Sequence, residues 1–217
     1  MNTRRSFFST IGAAAAFFTA GSAKALAERS DSAEQPQAAA ERPWQPARDP
    51  KDDWFDQIPG KHRLFFDTLT DGGLREARGF ANNYYDASKA SYGLEPADLA
   101  VVMCLRHSAT PFAFTDPFWA KYGPIMAESL KLSDLTLKTN PHRAQLEALI
   151  TRGVRYAVCE MASKRYAGMI ARKVDGTADA VFKEMQANVV GNATFVPAGI
   201  VAVNRAQERG YAIAYTG

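Results

Sequence analysis

Acidic residues are missing from the first 27 positions of this sequence, and that gap explains its apparent basicity. The formal net charge of +3 comes from Arg4, Arg5 and Lys24, which all lie in this stretch, so the rest of the chain is electrically balanced. A domain without excess positive charge lacks the electrostatic footprint of nucleic-acid binding. We therefore predict no nucleic-acid partner.

The N-terminal apolar segment, residues 11–20 with its flanks, is shorter than the roughly 20 residues that span a bilayer. It follows the pair Arg4-Arg5 and precedes the small-residue triplet Ala25-Leu26-Ala27. This layout is typical of a secretory signal peptide, and the paired arginines resemble a twin-arginine signal. We predict a signal peptide over residues 1–27, a periplasmic location and no stable membrane insertion after cleavage. An uncleaved N-terminal anchor is the alternative.

Apolar periodicity is weak from residue 28 to residue 53, where Ala, Glu, Gln, Pro and Arg dominate, and we predict a flexible linker there. Residues 54–217 form the predicted domain, in which strand-like runs alternate with helical patterns. Five such alternations predict an α/β fold, a five-stranded and mainly parallel sheet with helices on both faces, flavodoxin-like in its class. The strand-like runs are His62 to Leu69, Leu99 to Leu105, Val154 to Cys159, Ala193 to Pro197 and Tyr211 to Thr216.

Reactive and charged side chains follow the first three predicted strands. Asp71 follows the first, Cys104, Arg106 and His107 end or follow the second, and Cys159 ends the third. Ligands of parallel α/β sheets bind beyond the carboxyl ends of the strands. We therefore predict Cys159 as the catalytic residue and the other four as binding residues.

Cys159 stands where a strand meets a helix, in the segment "GVRYAVCEMASKR". The positive end of a helix dipole stabilises the thiolate form of a cysteine, whereas the adjacent Glu160 opposes it if its carboxylate is near. The alternative is an inert buried thiol, because free cysteine is among the most buried residue types. Position alone leaves both interpretations open.

Cys104 is surrounded by apolar neighbours and is predicted mainly as a core residue. A disulfide with Cys159 is the alternative in an oxidising compartment, provided that the two strands are neighbours. In the flavodoxin strand order 2-1-3-4-5 the first strand would separate them. Arg106 is predicted either to hold an anion or to pair with a surface carboxylate.

His107 has three interpretations: a base or pocket residue, a metal ligand together with the two cysteines, or a structural histidine. The sequence has no Cys-x-x-Cys-His motif, and the spacing of these residues matches no zinc or haem pattern. We predict no metal and no cofactor.

Aromatic residues are concentrated in "SATPFAFTDPFWAKYG", residues 108–123. The prolines interrupt any regular pattern, so we expect a loop that forms a lid over the site or a contact between subunits. Core packing is the alternative. The aromatic residues are Phe112, Phe114, Phe118, Trp119 and Tyr122.

The chain from about residue 60 to residue 217 resembles the DsrE/DsrF-like family of sulfur-oxidation and sulfur-relay proteins. The resemblance lies in "GVRYAVCEMASKR", similar to the family's strand-Cys-helix segment, and in "VPAGIVAVNRAQERGYAIAYTG", similar to its closing helix and strand. It implies that Cys159 occupies the position of a persulfide-forming thiol. It also implies a trimeric or hexameric homo-oligomer and a sulfur-donor or sulfur-acceptor protein as partner. The family's relay members are cytoplasmic, whereas this chain has an export signal.

Two functions follow from these observations. The first is thiol or persulfide chemistry at Cys159, in a periplasmic sulfur carrier whose pocket is lined by Arg106 and His107. The second is a non-catalytic, oligomeric binding protein that holds a small anion or sulfur compound through Arg106 and backbone amides. Whether the protein is an enzyme stays open.

Overall fold

The computed structural model describes residues 45–217, so the predicted signal peptide and most of the predicted linker lie outside the described residues. Short 3-10 helices cover Pro50–Phe55, Pro96–Asp98 and His107–Ala113. The strands are β1 His62–Thr68, β2 Leu99–Leu105, β3 Arg155–Cys159, β4 Ala193–Val196 and β5 Ala212–Thr216. The α-helices are α1 Asp71–Tyr92, α2 Asp116–Leu130, α3 Arg143–Thr151, α4 Glu160–Ala171, α5 Ala178–Ala187 and α6 Gly199–Glu208.

The five strands form one all-parallel sheet in the order β4-β3-β2-β1-β5. The predicted α/β class, with a parallel sheet and helices on both faces, is confirmed. The strand order differs from 2-1-3-4-5, because β2 and β3 are direct neighbours with no strand between them. The two cysteine-bearing strands therefore lie side by side.

The helices divide unequally between the two faces of the sheet. Side chains of α1 to α5 share one core with β1, β2 and β3, while α6 and the 3-10 helix Pro50–Phe55 cover the other face. Right-handed crossover connections explain this division. The connections from β1 to β2, β2 to β3 and β3 to β4 all run in one direction across the sheet, so their helices lie on one face. The connection from β4 to β5 runs in the opposite direction and places α6 on the other face.

The central strand of the sheet, β2, is buried along its whole length. A strand that is buried on both faces is typically an uninterrupted apolar run, and the sequence of β2, "LAVVMCL", is one.

Local capping residues mark the two ends of α1. The Thr70 side chain accepts a hydrogen bond from the Gly73 amide at the start of α1, and Gly93 ends that helix in the left-handed region.

The aromatic segment is not a loop. It forms the 3-10 helix His107–Ala113 and the first part of α2, and its five aromatic side chains are all buried in the larger core. Trp119 donates its indole N–H to the Pro111 carbonyl at 3.2 Å, and its ring stacks on Phe112. The lid and subunit-contact interpretations are therefore wrong, and core packing is the one observed.

The folded part begins slightly before the predicted boundary. Residues 50–53 belong to the 3-10 helix Pro50–Phe55, although they were expected in the linker. Phe55 packs against Phe65 and Tyr211, which attaches this helix to the α6 face of the sheet. Within residues 45–217, no helix is both long enough and apolar enough to cross a membrane.

Candidate functional site

A cleft of about 490 Å³ opens at the carboxyl edge of the sheet. It lies where the chain leaves β3 toward α4 on one face and leaves β4 toward α6 on the other. Neighbouring connections that diverge in this way create the crevice in which parallel α/β sheets bind ligands. The cleft walls include Leu69, Arg106, His107, Met161, Arg165 and Ile200.

Cys159 is the last residue of β3 and the N-cap of α4, and it is not itself among the residues that line the cleft. Its Sγ accepts a hydrogen bond from the backbone N–H of Ala162 at 3.4 Å, and Ala162 itself lines the cleft. The residue is only 6% exposed. The predicted placement at a strand-to-helix junction is thus confirmed.

The carboxylate expected to oppose a Cys159 thiolate is engaged elsewhere. Glu160 forms an ion pair with Lys164 one turn along α4, with a separation of 2.5 Å. Its negative charge is therefore partly compensated. The backbone N–H of Ala162, in the first turn of α4, is the group that donates a hydrogen bond to the sulfur.

Cys104 does not line the cleft. It is fully buried in the smaller core between the sheet and α6, and this burial raises the pKa of its thiol well above the ordinary value. It is paired in register with Ala157, so Cys159 is its diagonal neighbour. Strand geometry puts the two Cα atoms about 8 Å apart, beyond the usual disulfide range. Both cysteines are free thiols.

Arg106 is held by a buried carboxylate. Its Nε donates to Asp67 Oδ1 at 2.5 Å and its Nη2 donates to Asp67 Oδ2 at 2.8 Å. The hydrogen bond to Asp67 raises the pKa of Arg106 further. The predicted surface carboxylate needs correction, because the partner Asp67 is buried, whereas anion binding by Arg106 stays a prediction. Arg106 is a fixed wall of the cleft.

Gly199, at the start of α6, packs against the Arg106 side chain. A Cβ atom at this position would lie 2.5 Å from both Cβ and Cδ of Arg106, so only glycine permits the close approach. This contact holds the β4–α6 connection against the Arg106–Asp67 pair. The sequence signal for that pair was available, since Asp67 is the single charged residue at the buried end of β1.

His107 is exposed and lies in the left-handed region of backbone space, with φ of 54°. Backbone hydrogen bonds on either side hold this turn: the Arg106 amide donates to Thr68 O, and the Ala109 amide donates to Leu69 O. The His107 ring lines the cleft and also a smaller neighbouring pocket. The prediction of a pocket-lining position agrees with this geometry.

Asp71 belongs to a different cluster. Its carboxylate accepts hydrogen bonds from Arg75 and from Nε2 of the buried His142, the latter at 2.5 Å. Burial would raise the pKa of Asp71, but the hydrogen bonds from Arg75 and His142 outweigh it and the pKa lies below its ordinary value. Burial lowers the pKa of His142, and the bond to Asp71 offsets this only in part. Asp71 therefore joins α1 to the start of α3 and does not line the cleft.

No group of three or more histidine, cysteine or acidic side chains within residues 45–217 has an arrangement that could hold a metal ion. His107 and the two cysteines in particular do not form a ligand set.

Comparisons with known proteins identify no family. No family model matches the sequence, and no curated protein matches it. A solved structure of a protein of unknown function from Methanobacterium thermoautotrophicum is similar, with a TM-score of 0.41 and 14% sequence identity. The similarity covers 71% of this chain and 99% of that one.

Proposed function

We propose that this protein is an exported, DsrE-like sulfur carrier in which the Cys159 thiol accepts and transfers a sulfur atom. The observation that carries the proposal is the hydrogen bond that Cys159 Sγ accepts from the N–H of Ala162, a residue that lines the edge cleft. That N–H compensates negative charge on sulfur, and both a thiolate and a persulfide anion carry such charge. The resemblance of "GVRYAVCEMASKR" to the family's cysteine segment supports the same role.

The transfer step requires a persulfide as the donor. The Cys159 thiol first releases its proton to solvent, and the thiolate attacks the outer sulfur of the donor persulfide. A new S–S bond forms at Sγ while the S–S bond of the donor breaks, and the donor leaves as a thiolate with the bonding electron pair. Because one S–S bond replaces another, no external oxidant or reductant is consumed.

A partner protein is part of this proposal. Met161 and Ile200 are 69% and 60% exposed at the rim of the cleft, and they offer an apolar landing surface for a sulfur donor or acceptor. We propose a homo-oligomer for the same reason, and a periplasmic location from the features of residues 1–27.

A second function, non-catalytic binding of a small molecule, is favoured by the low exposure of Cys159. Because the Cys159 thiol is only 6% exposed, a donor molecule has little access to it, whereas the neighbouring cleft is open. This alternative no longer depends on Arg106 as the anion ligand, since Asp67 occupies its guanidinium group.

The two functions are separated by the intact mass of the protein after exposure to cysteine persulfide. The sulfur-carrier proposal predicts a gain of about 32 Da per sulfur atom, reversible by reductant, in the wild type and in Cys104→Ser. Cys104→Ser is the matched control because its thiol is fully buried. Cys159→Ser should show no gain. Equal gains in both variants, or no gain in the wild type, would reject the carrier function in favour of binding.

A further inference from the structure

A second pocket of about 320 Å³ adjoins the edge cleft on the side of α4 that faces α2. The two share His107 and Arg165 as lining residues, so these side chains lie at the boundary between them. The character of the lining changes across this boundary. The walls of the second pocket include Ser108, Ser129, Arg165, Tyr166 and Arg172.

The second pocket is built from positive charge and hydroxyl groups. Arg165 and Arg172 lie seven residues apart, which places them two turns apart on the same side of the α4 segment. No acidic residue lines the pocket. The acidic residues Glu160 on α4 and Glu128 on α2 pair with Lys164 and Lys173 instead.

Tyr166 is a buried residue in the lining of the second pocket. Burial raises the pKa of its hydroxyl, and Arg165, Ser108 and Ser129 act in the opposite direction because they lie beside it. The pocket therefore presents two guanidinium groups together with several hydroxyl groups. This donor set matches a phosphate, sulfonate or carboxylate group, which accepts hydrogen bonds from several directions.

The cleft on the other side of His107 is mainly apolar. Leu69, Met161 and Ile200 contribute aliphatic surface there, and its volume accommodates a single aromatic ring or a short alkyl chain. A molecule that spans the two compartments would pass His107 and Arg165, which line both.

We infer that these two adjoining pockets together bind a small soluble anion with an apolar body. The anionic group binds between Arg165 and Arg172, and the apolar body occupies the cleft against Met161 and Ile200. The inference goes beyond sulfur transfer, since Arg165 and Arg172 have no part in it, although Met161 and Ile200 are also the rim residues proposed to contact a partner protein. It holds whether or not the thiol is reactive.

Calorimetric titration with phenyl phosphate and with inorganic phosphate tests the two compartments separately. Phenyl phosphate should bind at least about tenfold more tightly than inorganic phosphate, because only the ester fills the apolar cleft. The double variant Arg165→Gln/Arg172→Gln should weaken the binding of both ligands at least about tenfold. A charge-matched control, Lys61→Gln/Lys183→Gln, changes two exposed lysines outside the pocket and should bind both ligands like the wild type.

Met161→Ser/Ile200→Ser should remove the advantage of phenyl phosphate and leave the affinity for inorganic phosphate unchanged. Cys159→Ser should bind both ligands normally, so a failure of sulfur transfer does not affect this result. Equal binding of phenyl phosphate by the wild type and the double arginine variant would overturn the inference. Absence of saturable binding up to about 10 mM would do the same. If the protein sediments with phosphatidylglycerol vesicles and does not bind phenyl phosphate, the pocket recognises lipid headgroups. That result would also overturn the inference.

Discussion

Replacing Arg106 by methionine is expected to destabilise the fold, because it removes the counter-charge of Asp67. The Asp67 side chain is 7% exposed, and both of its carboxylate oxygens accept hydrogen bonds from Arg106. Breaking one partner of a buried pair costs about 3–5 kcal/mol, since the remaining charge is uncompensated. Arg106 is 20% exposed, so water screens part of this cost. We expect a loss of about 2–3 kcal/mol in the free energy of unfolding.

Urea unfolding followed by circular dichroism measures this loss, and a double-mutant cycle isolates the pair. Asp67→Leu/Arg106→Met replaces both charges by apolar groups and should recover most of the stability lost in the single variant. Arg143→Met is the control: it removes the ion pairs that the exposed Arg143 forms with Asp116 and Glu147, and it should cost less than about 1 kcal/mol. A cost below about 1 kcal/mol for Arg106→Met, or strict additivity in the cycle, would refute the reasoning that Arg106 is a fixed structural wall.

Two further predictions concern the packing of α6 and the pH dependence of stability. Gly199→Ala should lower the free energy of unfolding in urea by about 2 kcal/mol, because the new Cβ displaces Arg106. Gly79→Ala is the control: a Cβ there has nothing within 4 Å, so this variant should stabilise α1 slightly. Equal stabilities of the two variants would contradict the prediction. The pKa of His142 in the folded state lies below its ordinary value, so the unfolded chain binds a proton more readily. The free energy of unfolding should therefore fall as the pH drops below about 6.5, by at most about 1.4 kcal/mol per pH unit. Urea midpoints at pH 7.5 and 5.5 should show a smaller decline in His142→Gln, which keeps an amide donor for Asp71, and an unchanged decline would contradict the assignment.

The strands were predictable because each contains a short apolar stretch, and β2 is apolar throughout. Leu99–Leu105 agrees with the structure at both ends, and β1 ends one residue before its predicted limit. The junction at Cys159 was equally clear, since the apolar residues of β3 give way to a helical pattern there. These features depend on neighbours in the chain, which the sequence displays directly.

The aromatic segment was misread because its prolines conceal the helical pattern. Pro117 lies in the first turn of α2, where a missing amide costs nothing, and Pro124 lies further along the same helix. Burial of Phe112, Trp119 and the other rings depends on the sheet face they cover. Tertiary packing therefore overrode the local signal.

The sequence by itself determined the α/β class, the parallel sheet and the placement of Cys159 at the start of a helix, because apolar periodicity and local capping encode them. Only the tertiary structure decided that β2 and β3 are neighbours, that Asp67 holds Arg106, and that Asp71 binds His142 instead of lining the cleft. It also brought Arg165 and Arg172 together with Ser108 and Ser129 from other elements. These relations join residues that are distant in the chain, and the strand order and side-chain packing that create them are properties of the whole fold.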